Sequence, residues 1–207
     1  MRQTPMIKKI FTLHLLKPLL VVFSIVFSIS SFSATLDSDQ WNRIQSGEDL
    51  LILRHTDAPG IGDPAQFSLS DCSTQRNLSE KGRTQAKNIG LLLKKLGLKQ
   101  ARILSSQWCR CLDTGELLNL GKVEHLPILN SFFQDGSTAQ QQNQALKEWI
   151  GQQPMLEPII LVTHQVNITA LSEDNLYPES GELFFIRRNA LKGGILNRDQ
   201  RIEIPLQ

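Results

Sequence analysis

Short apolar runs alternate along the chain with longer stretches in which apolar residues recur at helical spacing. Leu50–Leu53 and Ile159–Val162 are continuous apolar runs of strand length, which is typical of strands buried on both faces of a sheet. After the first run, Ser79 is a suitable N-cap for a helix whose apolar residues recur every three or four positions and which ends at Gly97. The alternation predicts an α/β fold: a three-layer sandwich with a central, mostly parallel sheet flanked by helices.

The same patterns predict the other elements. The further helices are predicted at Asp37–Ser46, Arg110–Leu118 and Ala139–Ile150. The further strands are predicted at Ala101–Leu104, Lys122–Leu126, Leu183–Ile186 and Arg201–Ile204. A loop of about 20 residues, Ala58–Asn77, is rich in Gly, Pro, Asp and Ser, and loops of this length are usually either functional or disordered.

Polar residues with useful chemistry follow three of the apolar strands. Arg54 and His55 follow the first strand, Arg110 lies in the turn after the second, and His164 follows the clearest strand of the chain. In an open α/β sheet, ligands bind beyond the carboxyl ends of the strands. We therefore expect two arginines and two histidines to converge at one edge of the sheet.

This combination favours a phosphoryl group as the ligand. Each guanidinium offers a planar pair of donors to phosphate oxygens, and a neutral imidazole nitrogen can attack phosphorus. A metal site is the competing interpretation, with His55, Asp57, Asp63 and His164 as potential ligands. The sequence has neither a His-Glu-x-x-His helix nor a Cys-x-x-Cys pair, and the two arginines would repel a cation, so no metal is expected.

Charge separates the first 33 residues from the rest. The chain of 207 residues has 22 Lys and Arg against 20 Asp and Glu, a balance that does not favour a nucleic-acid partner. Residues 1–33 contain four basic residues and no acidic one, then the apolar run Leu19–Ile29, then Ser31 and Ser33 at small-x-small spacing. These features predict a signal peptide (1–33) before a domain (34–207) with a net charge of about -2, in the periplasm or secreted. The alternative is an uncleaved segment that anchors the protein in a membrane.

Four segments, in order, resemble the motifs of the histidine phosphatase superfamily, which includes phosphoglycerate mutases and acid phosphatases. The segment that resembles the Arg-His-Gly signature is Leu53-Arg54-His55-Thr56, and the one that resembles the helix after the first loop is Leu78-Ser79-x-x-Gly82-x-x-Gln85-Ala86. The segment that resembles the second arginine motif is Ser106-x-x-x-Arg110-Cys111-x-x-Thr114, and the one that resembles the second histidine motif is Val162-Thr163-His164. The long loop is more loosely similar to that of the lipopolysaccharide core heptose phosphatase group.

The resemblance implies a phosphoglycerate mutase-like fold and a metal-independent phosphatase without an organic cofactor. It implies that His55 becomes phosphorylated while Arg54, Arg110 and His164 hold the phosphoryl oxygens of a small-molecule substrate. Arg76, at the end of the long loop, is a candidate for binding a second acidic group of that substrate. The alternative is a protein of the same fold that binds a phosphate ligand with little or no turnover. A phosphomutase is less favoured, because export would separate it from glycolytic substrates.

Two positions depart from the family pattern. Thr56 replaces the glycine of the signature, and Leu129-Asn130-Ser131 stands where mutase-like members carry the glutamate that donates a proton. Asp57 is the first candidate for a substitute acid, followed by Asp135 and Glu182. Without a strong acid, the enzyme should prefer leaving groups that depart easily, such as those of acyl, phosphoramidate or aryl phosphates, over sugar phosphates.

Three cysteines surround the predicted site. Cys72 lies in the long loop, and Cys109 and Cys111 flank Arg110. In an oxidising compartment Cys72 should pair with one of them, with Cys109 preferred, and the bond would tie the loop to the arginine turn. The alternative is three free thiols, with Cys111 a small core residue.

Overall fold

A six-stranded mixed sheet lies between two layers of helices. The structure, a computed structural model, describes residues 38–188 and 196–202. Its helices are α1 (Ser38–Gln45), α2 (Glu80–Lys95), α3 (Cys109–Leu118), α4 (Ala139–Gln152) and α5 (Gln165–Leu171). Its strands are β1 (Asp49–Arg54), β2 (Arg102–Ser105), β3 (Val123–His125), β4 (Ile159–Thr163), β5 (Leu183–Arg187) and β6 (Arg201–Ile202).

The strand order is β3-β2-β4-β1-β5-β6. The four strands from β3 to β1 are parallel, whereas β5 and β6 are antiparallel to their neighbours. The strand β1 is central and buried on both faces: Leu51 and Leu53 pack into the core beneath α1 to α3, and Leu50 and Ile52 pack into the core beneath α4 and α5. The continuous apolar run thus contributes side chains to the hydrophobic cores on both faces of the sheet. The predicted three-layer, mostly parallel architecture is confirmed.

Within the described residues, the bounds of the predicted helices and strands agree with the observed bounds to within one or two residues. Ser79 caps α2, because its hydroxyl accepts a hydrogen bond from the Gly82 amide at 3.0 Å, and Gly97 has the predicted left-handed conformation after the helix. The helix α5 was not predicted, since it is only seven residues long and starts directly after a strand. The last two residues of the predicted strand Arg201–Ile204 lie outside the described residues.

The proposed signal segment, residues 1–33, also lies outside the described residues. Among the residues that are described, no helix combines the length and the apolar character needed to cross a membrane.

The register of the parallel strands sets the positions of the two histidines. Arg54 lies opposite Thr163 in the β1–β4 pair, and the His55 amide donates to the Thr163 carbonyl at 2.9 Å. The residues that follow these two strands, His55 and His164, therefore leave the same edge of the sheet side by side.

We predict that Gly90→Ala weakens the packing of α2 on α3. A Cβ at Gly90 would lie 2.1 Å from the Leu118 carbonyl oxygen, so the helices would have to separate. The substitution should lower the free energy of unfolding by about 1–3 kcal/mol, although Ala is normally preferred to Gly in a helix. Urea denaturation measures this effect. Gly136→Ala is the control, because its Cβ would meet nothing within 4 Å, and a Gly90→Ala protein as stable as wild type would contradict the prediction.

Candidate active site

A cleft with a free volume of about 110 Å³ opens at the carboxyl edge of the parallel strands. It contains all four of the strand-end residues that the sequence predicts to converge. The charged and aromatic residues lining its floor are Arg54, His55, Asp63, Arg76, Trp108, Arg110 and His164. The structure therefore brings together Arg54, His55, Arg110 and His164, and it adds Arg76 and two further residues from the long loop and the arginine turn.

His55 is held in one tautomer by the backbone. Its Nδ1 lies 2.8 Å from the Thr56 carbonyl oxygen, which can only accept, so Nδ1 carries the hydrogen and Nε2 carries the lone pair. The side chain is almost fully buried, and this burial, with the nearby charges of Arg110 and Arg54, lowers the pKa of His55 to about 3. The imidazole is therefore neutral at physiological pH, with Nε2 able to act as a nucleophile.

His164 has the opposite arrangement of its ring nitrogens. Its Nδ1 lies 3.4 Å from Nη2 of Arg110, which can only donate, so Nδ1 accepts and Nε2 donates to the Ser106 hydroxyl at 2.8 Å. Burial, followed by the proximity of the second imidazole, His55, and the charge of Arg110, lowers the pKa of His164 well below its usual value. The His164 ring also makes an edge contact with Trp108, at a centroid distance of 5.3 Å, so Trp108 packs next to the site.

The two predicted arginines enter the cleft from different elements. Arg54 ends β1 and donates through Nη1 to the Pro178 carbonyl at 2.7 Å, whereas Arg110 lies in the first turn of α3. The buried Nε atoms of both have no hydrogen-bond partner among the described residues. These guanidiniums thus keep donor capacity next to the nucleophilic imidazole, as an oxyanion ligand requires. No group of three metal-ligating side chains occurs within the described ranges.

The sequence pattern suggests Asp63 only as a potential metal ligand, but in the structure Asp63 is central to the site. One carboxylate oxygen accepts from Nη1 of Arg110 at 2.9 Å and from the Arg76 amide at 3.0 Å, and the other accepts from the indole of Trp108 at 3.0 Å. Burial opposes ionisation, but these donors outweigh it and lower the pKa of Asp63. Asp63 is therefore an ionised carboxylate that holds Arg110. Only the length of the loop hinted at such a role in the sequence.

Arg76 lines the cleft as the sequence suggested, but most of its donors serve the loop. Its Nε donates to the Gly62 carbonyl at 2.8 Å, and Nη1 donates to the Ala58 carbonyl. Burial, with the neighbouring charge of Arg110, lowers the pKa of Arg76. Its positive charge reaches the cleft while the side chain stabilises the loop.

The three predicted substitute acids are not among the residues that line the cleft, and the role of Asp57 as a catalytic residue stays a prediction. The Asp57 carboxylate accepts from the Ser79 hydroxyl at 2.5 Å, because the chain after β1 turns its side chain toward the start of α2. Asp135 caps an exposed turn through the Ser137 amide, and Glu182 forms an ion pair with Arg201 at 3.2 Å. Among the described residues, Asp63 is the only carboxylate that lines the cleft.

A disulfide between Cys72 and Cys109 fastens the long loop to α3, and this pairing confirms the one that the sequence favours. Cys109 is the first residue of α3 and its amide also donates to the loop residue Gln75, at 3.0 Å. Cys111 is a free, buried thiol whose pKa burial raises to about 12, so it stays protonated. The disulfide thus holds the loop that supplies Asp63 and Arg76 against the helix that supplies Arg110.

Comparison with known proteins places this architecture in a class. No protein-family model matches the sequence, and no curated protein matches it either. The described residues have an α/β fold that matches solved phosphoglycerate mutase-like structures, and the likeness concerns the fold.

Three solved structures illustrate the likeness in fold. A protein from Agrobacterium tumefaciens assigned as the phosphohistidine phosphatase SixA is 18% identical, with a TM-score of 0.51 over 69% of this chain and 92% of its own. The Rv3214 protein of Mycobacterium tuberculosis is 16% identical, with a TM-score of 0.52 over 74% and 94%. Phosphoserine phosphatase from Entamoeba histolytica, solved with 3-phosphoglyceric acid, is 15% identical, with a TM-score of 0.51 over 73% and 98%.

We predict that His55→Asn makes the stability less sensitive to acid. His55 stays neutral in the folded protein down to about pH 3, whereas in the unfolded chain it takes up a proton near its usual pKa of about 6.5. The unfolded state thus binds more protons between these values, so this residue lowers the stability as pH falls through about 6.5. Between pH 7.5 and 5, the variant should lose about 2 kcal/mol less than wild type in urea denaturation. Equal losses in the two proteins would contradict the prediction.

We also predict that the double variant Cys72→Ala/Cys109→Ala is less stable by about 2–4 kcal/mol, because its unfolded state is no longer constrained by the bond. Urea denaturation with and without a reductant measures the effect. The reductant should lower the stability of wild type to a similar extent and leave the double variant unchanged. If the reductant lowers the free energy of unfolding of both proteins equally, its effect comes from Cys111 or from the reagent itself and not from the Cys72–Cys109 bond.

Proposed function

We propose that the protein is a phosphatase that hydrolyses a small phosphorylated substrate through a phosphohistidine at His55. The observation that carries this proposal is the neutral Nε2 of His55 beside the guanidiniums of Arg54 and Arg110 in one small cleft. Such a site attracts a phosphoryl group and presents it with a nucleophile that remains unprotonated at physiological pH.

In the first step, the lone pair of His55 Nε2 forms a bond to phosphorus while the bond from phosphorus to the leaving group breaks. The leaving group takes that electron pair. Arg54 and Arg110 donate to the equatorial oxygens, whose negative charge they balance in the transition state. His164 lies at the same edge of the sheet, and its Nδ1 accepts from Nη2 of Arg110, which it helps to position.

In the second step, water attacks the phosphohistidine. A new phosphorus–oxygen bond forms as the bond to Nε2 breaks, and the electron pair returns to the His55 ring. The proton lost by water passes to phosphate or solvent, and phosphate leaves. The proposal requires neither a metal nor an organic cofactor.

The fold likeness supports this proposal, because the similar structures include proteins named as phosphohistidine and phosphoserine phosphatases. The disulfide supports a location in an oxidising compartment, and with the basic and apolar start of the chain it favours the periplasm or the exterior. The similarity of the long loop to heptose phosphatases stays a prediction.

The test is the hydrolysis of phenyl phosphate in the presence of a chelator. Wild type should be active, and His55→Ala should lose roughly a thousandfold or more in kcat, because no nucleophile replaces the imidazole. The matched control is His125→Ala, since His125 is exposed on β3 outside the cleft and its removal should leave kcat unchanged. Activity that survives in His55→Ala, or that the chelator abolishes in wild type, would contradict the proposal.

A second function is favoured by one observation: the only carboxylate lining the described part of the cleft is already committed to Arg110. A site without a free acid suits a protein that binds a phosphate ligand without turnover. In that case wild type would show no hydrolysis of any phosphate ester or anhydride, while Arg110→Ala would weaken the binding of inorganic phosphate in calorimetry.

A further inference from the structure

Burial divides the residues of the cleft into two groups. His55, Arg110 and His164, which would surround the phosphoryl group, are buried, and Arg54 is half-buried, whereas other lining side chains are exposed. The leaving group of a substrate bound to His55 therefore extends toward the exposed side chains at the mouth of the cleft, and these side chains decide which leaving groups bind.

Three large apolar side chains stand at this mouth, and we call them the apolar rim: Ile61, Phe133 and Tyr177. They are 91%, 55% and 72% exposed, respectively, and all three line the cleft. They come from three separate segments: the long loop, the segment before α4 and the segment after α5. Exposed apolar side chains from three segments around one cleft are typical of a binding site.

Two glutamines also line the cleft, and each gives one amide hydrogen to the protein itself. Gln134 donates to the Asp63 carbonyl at 3.4 Å, and Gln165 donates to the Thr169 hydroxyl at 3.0 Å. An apolar ring would cover the exposed rings of Phe133 and Tyr177 and remove their apolar surface from water, which the hydroxyl groups of a sugar would not do. The rim therefore favours an apolar, planar leaving group.

The chemistry of the floor selects the same kind of leaving group. Asp63 is the only carboxylate lining the described cleft, and it is ionised and paired with Arg110. It therefore has no proton to give to a departing oxygen. A leaving group that is stable as an anion departs without this help, and a phenolate, with a pKa of about 10, is far more stable than an alkoxide.

We propose that the substrate is the phosphate monoester of a phenol, with its ring against Phe133 and Tyr177 of the apolar rim. The inference rests on the proposed function and specifies its substrate class. The bond from His55 Nε2 to phosphorus forms as the bond from phosphorus to the phenol oxygen breaks. The phenolate takes the electron pair and takes up a proton from water after it leaves.

The experiment compares three substrates: phenyl phosphate, acetyl phosphate and glucose 6-phosphate. Acetyl phosphate has a leaving group that departs easily but no ring, and glucose 6-phosphate has neither property. Wild type should have the highest kcat/KM for phenyl phosphate and a value at least tenfold lower for glucose 6-phosphate. Tyr177→Ala and Phe133→Ala should each lower kcat/KM for phenyl phosphate about fivefold, and that for acetyl phosphate less than twofold.

The matched control is Leu156→Ala, because Leu156 is 82% exposed but lies outside the cleft. It should leave kcat/KM for both substrates unchanged. Three results would overturn the inference and leave the phosphatase proposal intact. They are equal losses of kcat/KM for phenyl and acetyl phosphate in the rim variants, no loss of kcat/KM in those variants, and a wild type that prefers glucose 6-phosphate. A wild type that hydrolyses none of the three would instead overturn the proposed function.

Two more substrates distinguish the possible sources of the phenol. A small aryl phosphate as natural substrate predicts that free O-phosphotyrosine reacts faster than the same group within a peptide, and a protein source predicts the reverse. Both results require the fivefold loss in Tyr177→Ala. Phosphoimidazole turned over tenfold faster than phenyl phosphate would overturn the oxygen-linked leaving group in favour of a nitrogen-linked one.

Discussion

The burial of positive charge around two neutral imidazoles is the constraint on which this structure depends. Arg54, Arg76 and Arg110 lie around the two histidines, and a single carboxylate, Asp63, lines the cleft with them. Burying charge is costly unless it is paired or hydrogen-bonded. The protein meets part of that cost through carbonyl acceptors and the ion pair with Asp63, and the charge that remains gives the cleft its affinity for an anion.

The long loop follows from this constraint. Asp63 reaches Arg110 only because the chain between β1 and α2 is long enough to cross the mouth of the cleft and return. Arg76 bonds to carbonyls within the loop, and the Cys72–Cys109 bridge attaches the loop to the start of α3. What reads in the sequence as an irregular polar segment is thus one wall of the site.

The sequence predicts those elements and site residues that can be recognised from a short stretch of neighbouring residues. The apolar runs at Leu50–Leu53 and Ile159–Val162 identify buried strands, and the order of parallel strands then places His55 and His164 at one edge. The role of Asp63 could not be predicted, because it depends on where a loop without repeating pattern folds in space. The same limit explains Asp57: its position two residues from His55 says nothing about the direction of its side chain, which the capping of α2 decides.

The central position of β1 has a consequence for how the chain folds. This strand pairs with β4, more than 100 residues later, and with β5, which is later still, so both of its edges stay open until most of the chain is available. Pairings between residues so distant in sequence make folding slow, because the entropy of closing the long loop is lost before the stabilising contacts between the strands form. Until then an apolar strand with two unpaired edges is exposed, and an amino-terminal fragment that ends before β4 is a species prone to aggregation.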